Sequence, residues 1–241
     1  MSTGHDAGKL VAMETIELES PKCTVRLARN SRARRFTLRL EPSGGGAVLT
    51  VPPGVPMTEC RGFLRRHSAW LDRALARQPA VIDVRPGVSL PIDGVSVTVE
   101  ARPGKRRAVH LEDQVLIVPG PGAPGPRIAA WLKEHARSRL GDAARHYATQ
   151  LGTKVRAVAF RDTTSRWGSC SSRGTLSFSW RLAMAPIDVQ DYVAAHEAAH
   201  LIEMNHSPKF WALVDKLMPD WQSRRDWLKR EGRNLHTYRF D

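Results

Sequence analysis

Apolar and polar residues alternate along the first part of the chain, with the period of two that predicts β-strands. The alternation covers residues 24–29 (TVRLAR) and 35–40 (RFTLRL), and residues 47–52 (AVLTVP) form a further strand-like stretch. The proline pair at 52–53 ends that stretch, because proline cannot donate a hydrogen bond to a sheet. Residues 1–19 are polar without a period and are predicted to form a flexible tail.

A helical pattern interrupts the strands and is followed by more of them. Apolar residues recur at helical spacing over about residues 58–78, with Thr58 as the predicted N-cap. Short strand patterns return over residues 81–118, with Gly, Pro and Asp in the turns between them. The segment PGPGAPGP, residues 119–126, then separates this part from the rest. It fits a domain boundary or a surface loop within one domain equally well.

Mainly helical patterns fill the second half of the chain. One helix is predicted from Pro126 to about Gly152, and Asp188 is the predicted N-cap of a later helix that carries a histidine-rich stretch. Between them, the segments VRAVAFRDTTS and TLSFSWRL flank the polar turn RWGSCSSRG at residues 166–174. This order predicts a small β-hairpin ahead of the histidine-bearing helix.

Together these patterns predict an α+β fold. The N-terminal half is β-rich with one helix, and the C-terminal half is mainly helical and carries the small β-hairpin. The predicted organisation is a tail over residues 1–19, a β-rich region over 20–125 and a second region over 126–241. No internal repeat at a fixed period is predicted.

Composition narrows the class of protein. Of the 241 residues, 41% are apolar, which is typical of a globular chain, and no run approaches the roughly 18–20 apolar residues of a membrane-spanning helix. Cys23, Cys60 and Cys170 are too few and too widely spaced for a disulfide framework. Since the N-terminus also lacks the apolar core of a secretory signal, we expect a cytoplasmic protein.

The charge balance raises the question of a polyanionic partner. The net charge is +13, from 37 Lys and Arg against 24 Asp and Glu. Basic clusters occur at residues 29–35 (RNSRARR) and 224–233 (RRDWLKREGR). They suggest contact with nucleic acid, and solvated strand and helix faces are the alternative explanation.

The stretch AAHEAAHLIEMNHSPKFW, residues 194–211, carries the clearest chemistry. His196 and His200 are four residues apart, so on a helix both rings face one point. Two imidazole nitrogens about 2.0–2.1 Å from a zinc ion require this arrangement. Glu197, directly after the first histidine, suits a general base acting on metal-bound water.

A third ligand is expected at His206. On a continuous helix His206 would face away from His200, so the helix must end first. Asn205 tolerates the left-handed conformation that ends helices, and Ser207-Pro208 fits the N-cap and first position of a new helix. His206 would then lie in the corner between two helices.

Three histidines leave a fourth metal position open for water, as in catalytic rather than structural zinc sites. A structural zinc site and a chance spacing of three helix histidines are the alternatives. Glu203 and Asp215 are candidates to orient the histidine rings, with solvent exposure as the alternative for each.

The chemistry expected of such a site is peptide-bond hydrolysis. Zinc lowers the pKa of bound water to about 7, and Glu197 would take its proton and pass it to the leaving amine. A second group that stabilises the oxyanion is not identified by the sequence. Tyr192, Arg166, His236 and Tyr238 are candidates, and a structural role is the alternative for each.

The chain resembles a known family over about residues 24–235. RWGSCSSRGTLSFSWRLAMAP and DYVAAHEAAHLIEMNHSPKFWALVDKLMPDW closely resemble the YgjP-like zinc metallopeptidases, which are related to the SprT-type proteases. VRLARNSRARRFTLRL, VLTVPPGV and FLRRHSAWLDRAL are similar to the N-terminal part of that family. The resemblance implies a zincin-like metallopeptidase region over residues 126–241. It also implies one Zn²⁺ per chain, Glu197 as catalytic base, and three zinc ligands: His196, His200 and His206.

The resemblance further implies that RWGSC lies beside the active site, with an edge strand that could pair with an extended peptide. The suspected substrate-binding residues are Arg166, Trp167, Gly168, Ser169 and Cys170. Cys170 would lie near the cleft, where a buried structural thiol is the alternative to a nucleophile. This chain departs from the family pattern at Ala198, often bulkier, and at Ser179, often Asn.

A second class of function stays open. A basic nucleic-acid-associated module with a structural or non-catalytic zinc site would explain the charge. The two functions can coexist, because the related SprT-type proteases act on DNA-bound proteins. The expected partners are a peptide or protein substrate, with nucleic acid as a further candidate and no membrane; the oligomeric state is left open.

Overall fold

The computed structural model describes residues 14–41, 44, 46–103 and 108–241. The first thirteen residues of the predicted tail lie outside the described residues. The chain forms two compact units, Met1–Ala80 and Val81–Asp241. The segment that follows Ala80 up to PGPGAPGP therefore belongs with the second unit.

The first unit contains a four-stranded sheet with the strand order β1-β2-β4-β3. Strands β2 and β4 are parallel, and the two outer pairs are antiparallel. Its strands are β1 (Thr15–Glu19), β2 (Lys22–Arg29), β3 (Thr37–Leu40) and β4 (Gly46–Val51).

Strand β1 covers residues that the sequence pattern assigns to the tail. Ile16 is fully buried and lies opposite Val25, and Leu18 lies opposite Cys23. Two apolar residues are too short a pattern to reveal a strand by themselves. The neighbouring strand supplies the hydrogen bonds and the apolar contacts that make it one.

Two helices complete the first unit where the sequence predicts one. They are α1 (Met57–Arg66) and α2 (Ser68–Ala76), and the chain leaves helical geometry between them at His67. Pro56, not Thr58, is the N-cap of α1. The core of this unit joins the inner face of the sheet to buried helix residues such as Leu64 and Leu71.

The second unit begins with strands of its own. A four-stranded sheet has the order β6-β7-β9-β8, with a parallel central pair and antiparallel outer pairs. Separately, β5 pairs in parallel with the last strand of the chain, β13 (Tyr238–Arg239). The other strands are β5 (Ile82–Asp83), β6 (Ser89–Ile92), β7 (Val95–Arg102), β8 (His110–Glu112) and β9 (Val115–Pro119).

The two four-stranded sheets have the same topology. In each, the first two strands form a hairpin, and the fourth strand in sequence lies between the second and the third. Buried Leu49 lies on the inner strand β4, opposite one residue on each of the two flanking strands. Leu116 has the same position on β9 in the second sheet. The chain thus contains a structural repeat that the sequence analysis did not predict. The connection from β3 to β4 is longer than that from β8 to β9, so the two copies are not aligned by any single period.

The rest of the second unit is mainly helical and also carries a three-stranded sheet. In that sheet β12 is central, parallel to β10 and antiparallel to β11. Short 3₁₀ segments occupy Trp180–Met184 and Gly232–His236. The elements are α3 (Pro124–Gln150), β10 (Ala157–Arg161), β11 (Gly168–Cys170), β12 (Thr175–Ser179), α4 (Ile187–Ala199), α5 (Pro208–Leu217) and α6 (Trp221–Glu231).

The predicted α+β class is confirmed, with six α-helices and several small sheets in the described ranges. The predicted capping role of Asp188 is wrong. Pro186 is the N-cap of α4, and the Asp188 carboxylate instead accepts a hydrogen bond from Arg224 at 3.1 Å. Across the described part of the chain, none of the helices has the length and apolar character needed to cross a membrane.

Candidate active site

Three histidine side chains meet where α4 ends and α5 begins. His196 lies in the last turn of α4, His200 is its C-cap residue, and His206 precedes the N-cap of α5. One nitrogen of each ring lies within 4.8 Å of the others. The Nε2 atoms of His196 and His206 are 3.1 Å apart.

The turn between the two helices brings His206 back toward α4. Helix α4 stops at Ala199, so the chain changes direction before His206. Asn205 is not among the described non-glycine residues with positive φ; its Oδ1 instead accepts the Ser207 N–H at 3.0 Å. Ser207 is the N-cap of α5 and accepts the Phe210 N–H at 3.3 Å, and Pro208 is the first helical residue. The cap predicted at Ser207-Pro208 is confirmed.

An aromatic ring from α5 packs against the whole cluster. The ring centroid of Phe210, which is fully buried, lies 4.4–4.8 Å from those of the three histidines. Trp211 covers the rings of His196 and His206 from another side. These contacts restrict the rotation of the imidazole rings, which favours a preformed rather than a flexible cluster.

The protonation of the histidines suits metal binding. Burial, assisted by the neighbouring histidines, lowers the pKa of His196 to about 3 and also lowers the pKa of His200. His200 Nδ1 donates to the Glu203 carbonyl at 3.0 Å, which leaves Nε2 of that ring as a lone-pair donor. Glu203 therefore orients the ring through its backbone rather than its carboxylate. Asp215 is exposed.

The cluster fits a metal ion held by imidazole nitrogens. Tetrahedral coordination with metal–nitrogen distances of 2.0–2.1 Å places two ligand nitrogens about 3.3 Å apart, close to the His196–His206 separation. The lowered pKa values keep the rings of His196 and His200 neutral at physiological pH, as ligands must be. His196, His200 and His206 could therefore hold a metal ion.

Glu197 lies beside these rings, buried to 5% exposure. Its Oε2 is buried and has no hydrogen-bond partner among the described residues. Burial raises the pKa of Glu197 to about 8, against a lowering by the Arg166 charge. A cation held by the histidines would lower this pKa, because an opposite charge favours the ionised carboxylate.

Strand β11 forms the wall of the site that faces Glu197. A Cβ on Gly168 would lie only 2.6 Å from Cγ and 2.7 Å from Cδ of Glu197. Only glycine allows the helix side chain to approach the strand this closely. The sequence analysis includes Gly168 among the suspected substrate residues but predicts it in the polar turn at residues 166–174. The structure corrects this prediction, because Gly168 begins strand β11.

The other residues of the RWGSC segment have different surroundings. The ring of Trp167 stacks on that of His236 at 5.0 Å, and the exposed Arg166 acts electrostatically on Glu197. Burial, with Glu197 second, raises the pKa of the Cys170 thiol to about 11. At neutral pH this thiol is protonated, which disfavours a nucleophilic role.

The oxyanion candidates do not form a single group. The ring of Tyr192, which is buried, lies 5.8 Å from that of His196, and Arg166 acts on Glu197, so both adjoin the site. His236 is buried against Trp167. Tyr238 pairs with Ile82, and no described contact joins it to the histidines.

A polar network that the sequence analysis did not predict connects α4 to α3 and to the turn between β6 and β7. Asp93 accepts hydrogen bonds of 2.7 Å from His135 on α3 and from the fully buried Gln190 on α4. Burial alone would raise the pKa of Asp93, but these bonds outweigh it and hold the pKa below its ordinary value. A hydrogen-bonded pair separated by 97 residues in sequence leaves no local pattern.

Comparison with known proteins finds one matching family and a few similar structures. A family model described as YgjP-like, metallopeptidase domain, matches residues 34–231. The crystal structure of the metallopeptidase zymogen of Pyrococcus abyssi abylysin is similar at 23% identity over 43% of this chain and 93% of its own, with a TM-score of 0.31. That of Methanocaldococcus jannaschii jannalysin is similar at 16% identity over 39% and 88%, with a TM-score of 0.33. The comparison with curated proteins gave no match. Since the family model spans most of the chain, this protein belongs to the YgjP-like metallopeptidase family.

Proposed function

We propose that this protein hydrolyses peptide bonds with one zinc ion held by His196, His200 and His206, and with Glu197 as general base. The observation that carries the proposal is the buried Glu197 carboxylate next in sequence to a cluster of three imidazoles whose ligand atoms lie within 4.8 Å of one another. Zinc is the preferred ion for three imidazoles. A bound zinc ion supplies Lewis acidity and lowers the pKa of water at the site.

The part of Glu197 is to move a proton. Its Oε2 has no protein partner among the described residues, so this oxygen is free to accept a proton from water. The carboxyl group then donates the proton to the departing amine. Gly168 fixes the place of the carboxylate by leaving room for it against β11.

The proposed peptide-binding element is β11. It is an edge strand, because in the three-stranded sheet it pairs only with β12. An extended peptide can add to such an edge through main-chain hydrogen bonds. The residues proposed to contact it are Arg166, Trp167, Gly168, Ser169 and Cys170.

A paired set of variants tests the role of Glu197. Full-length E197Q should retain zinc and lose about 10³-fold or more in peptide hydrolysis, because the amide cannot accept the proton. E203Q is the control, since Glu203 acts through its backbone carbonyl and its side chain is not needed. Hydrolysis by zinc-loaded E197Q at the wild-type rate would contradict the proposal.

The nucleic-acid module remains the alternative proposal, but the described contacts do not favour it. In the cluster at residues 224–233, Arg224 pairs with Asp188, Lys229 pairs with Asp226, and Arg225 lies over two tryptophan rings. These side chains have partners within the chain. A steep decrease of DNA affinity with salt would support the alternative, and a weak, flat response would count against it.

A cytoplasmic location is part of the proposal. Its support is that Cys23, Cys60 and Cys170 are all free thiols. Reduced cysteines are typical of proteins in reducing compartments. Localisation of a tagged full-length chain tests it.

A further inference from the structure

A basic cleft lies on the sheet that carries β11. Its volume is about 280 Å³, and its lining includes Arg161, Ser165, Arg166, Gly168, Ser169 and Ser177. Arg161 is the last residue of β10, and Arg166 precedes β11. Two guanidinium groups and four hydroxyls, including that of Thr163, thus line one small cavity.

The strand register explains why these side chains share a face. Ser169 lies opposite Ser177, which lies opposite Ala159 on β10. Side chains two residues apart on a strand project to the same side, so Arg161 shares the face of Ala159. Leu176 and Phe178 are buried on the opposite face. The side chains of Ser169, Ser177 and Arg161 therefore lie on the other face of the sheet, and Phe178 also borders the cleft.

The positive charges in this cleft have no carboxylate partner among the described residues. Neither Arg161 nor Arg166 forms an ion pair among the described residues, and Arg166 acts on Glu197 only from a distance. The nearest carboxylate in sequence, Asp162, is held by Arg181 at 2.7 Å. The Ser165, Ser169 and Ser177 hydroxyls likewise have no hydrogen-bond partner in the described ranges. Convergent cationic and hydroxyl donors suit a small anion.

The cleft adjoins the reaction site through Gly168. This residue lines the cleft and also lies against the Glu197 carboxylate. An extended peptide paired with the free edge of β11 projects alternate side chains to the outer face of the sheet. A substrate group on that face, near the bond to be cleaved, comes within reach of the two arginines.

We propose that this cleft binds a carboxylate of the peptide substrate and so gives the enzyme a preference for an acidic group near the cleaved bond. The inference rests on the proposed peptidase function. The carboxylate can come from an Asp or Glu side chain or from the C-terminus of the peptide. Arg161 is the specificity-determining residue, since Arg166 also acts on Glu197.

Peptide binding tests this preference without turnover. The protein is full-length, zinc-loaded E197Q, and the probes are fluorescent hexapeptide pools with Glu or Gln fixed at one position in turn. Each pool is made with a free and with an amidated C-terminus. At one position, or at the free C-terminus, we expect about tenfold tighter binding of the carboxylate form, the effect of a charge-assisted hydrogen bond.

Substitutions of cleft residues test whether the preference for a carboxylate arises from this cleft. R161Q should abolish the preference, and R161E should replace it with a preference for Lys at the same position. R173Q is the matched control, because the exposed Arg173 lies in the turn between β11 and β12, at the opposite end of the sheet from Arg161. It should keep the tenfold difference. Circular dichroism of each variant checks that the fold is retained.

Equal binding of Glu and Gln pools at every position, with no effect of the C-terminal amide, would overturn the inference. A preference that survives in R161Q and R161E would overturn the assignment to this cleft. Acid-selective binding by a protein that hydrolyses no peptide would refute the proposed function alone. Hydrolysis by the wild type without any acid preference would refute the carboxylate cleft alone.

Discussion

The two four-stranded sheets have one topology and two very different consequences. The first is followed by two helices of 10 and 9 residues, and its core stays within the first unit. The second is followed by the 27-residue α3 and shares a core with α4. The chemistry-bearing residues lie in the elements that follow the second sheet. The comparison shows that strand order alone does not determine function, which depends on the elements attached to it.

The first hairpin turn marks the difference at the level of residues. In the first sheet, β1 and β2 are joined by Ser20-Pro21; in the second, β6 and β7 are joined by Asp93-Gly94. Asp93 has a φ of 52°, and Gly94 has a φ of 81°, the left-handed values that this tight hairpin turn requires. Asp93 then binds both α3 and α4. One turn thus connects the second sheet to the helix that carries His196 and Glu197.

Matching leucine-to-alanine substitutions in the two cores should show the largest difference between the two units. Leu49 and Leu116 are both fully buried at the centre of their sheets. L49A and L116A should each lower the free energy of unfolding of their own unit by about 3 kcal/mol. Calorimetry with and without zinc measures this. In L49A, zinc should raise the melting temperature of the second unit as much as in the wild type. In L116A, the zinc-sensitive transition should occur at a lower temperature than in the wild type. A zinc-sensitive transition that shifts in L49A and not in L116A would contradict the comparison.

Alanine substitutions at two strand glycines test the same difference between the two units. G168A should reduce kcat/KM about 100-fold while zinc content stays near the wild type, because the new Cβ displaces the Glu197 carboxylate. In the other unit, a Cβ on Gly46 meets the carbonyl of Thr24. G46A should therefore cost stability and leave the rate per folded molecule unchanged. Full activity of G168A would show that Glu197 does not need its present position.

Removing the Asp93 carboxylate tests the support of α4. D93A leaves the buried Gln190 without one acceptor, and we expect a loss of about 2 kcal/mol in unfolding free energy. Zinc affinity should decrease as well, since α4 and its C-cap residue supply two of the proposed ligands, His196 and His200. Chemical denaturation and zinc titration measure the two effects. S20A, in the corresponding turn of the first sheet, is the control and should change neither one by a comparable amount.

Acid should weaken the second unit through His236. Burial, with the Arg181 charge second, lowers the pKa of His236 from 6.5 to about 4. Between these values the unfolded chain binds a proton that the folded chain does not, so stability is complete above pH 6.5 and decreases as the pH falls toward 4. The expected loss is roughly 3 kcal/mol. The free energy of unfolding is measured for the wild type and for H236F across this pH range. The wild type should lose this stability as the pH falls, and H236F should not.

The local parts of the site were predictable and the long-range parts were not. The spacing of His196 and His200 follows from helix geometry, and Ser207-Pro208 is a local capping pattern, so both are visible in the sequence. Which glycine must face Glu197 depends on how β11 packs on α4, and no local pattern encodes that. The same holds for Asp93, whose partners lie on two distant helices. The repeat was missed because topology is conserved between the two copies while loop length is not.

Zinc content tests the account most directly. Elemental analysis is made on the purified full-length wild type, H206A and H146A after reconstitution with zinc. His146 is an exposed histidine of α3 outside the cluster and serves as the control. We predict about one zinc per chain in the wild type and H146A, and loss or strong weakening of binding in H206A. Equal zinc content in all three, or no zinc in the wild type, would contradict the three-histidine metal centre and the peptidase function proposed from it.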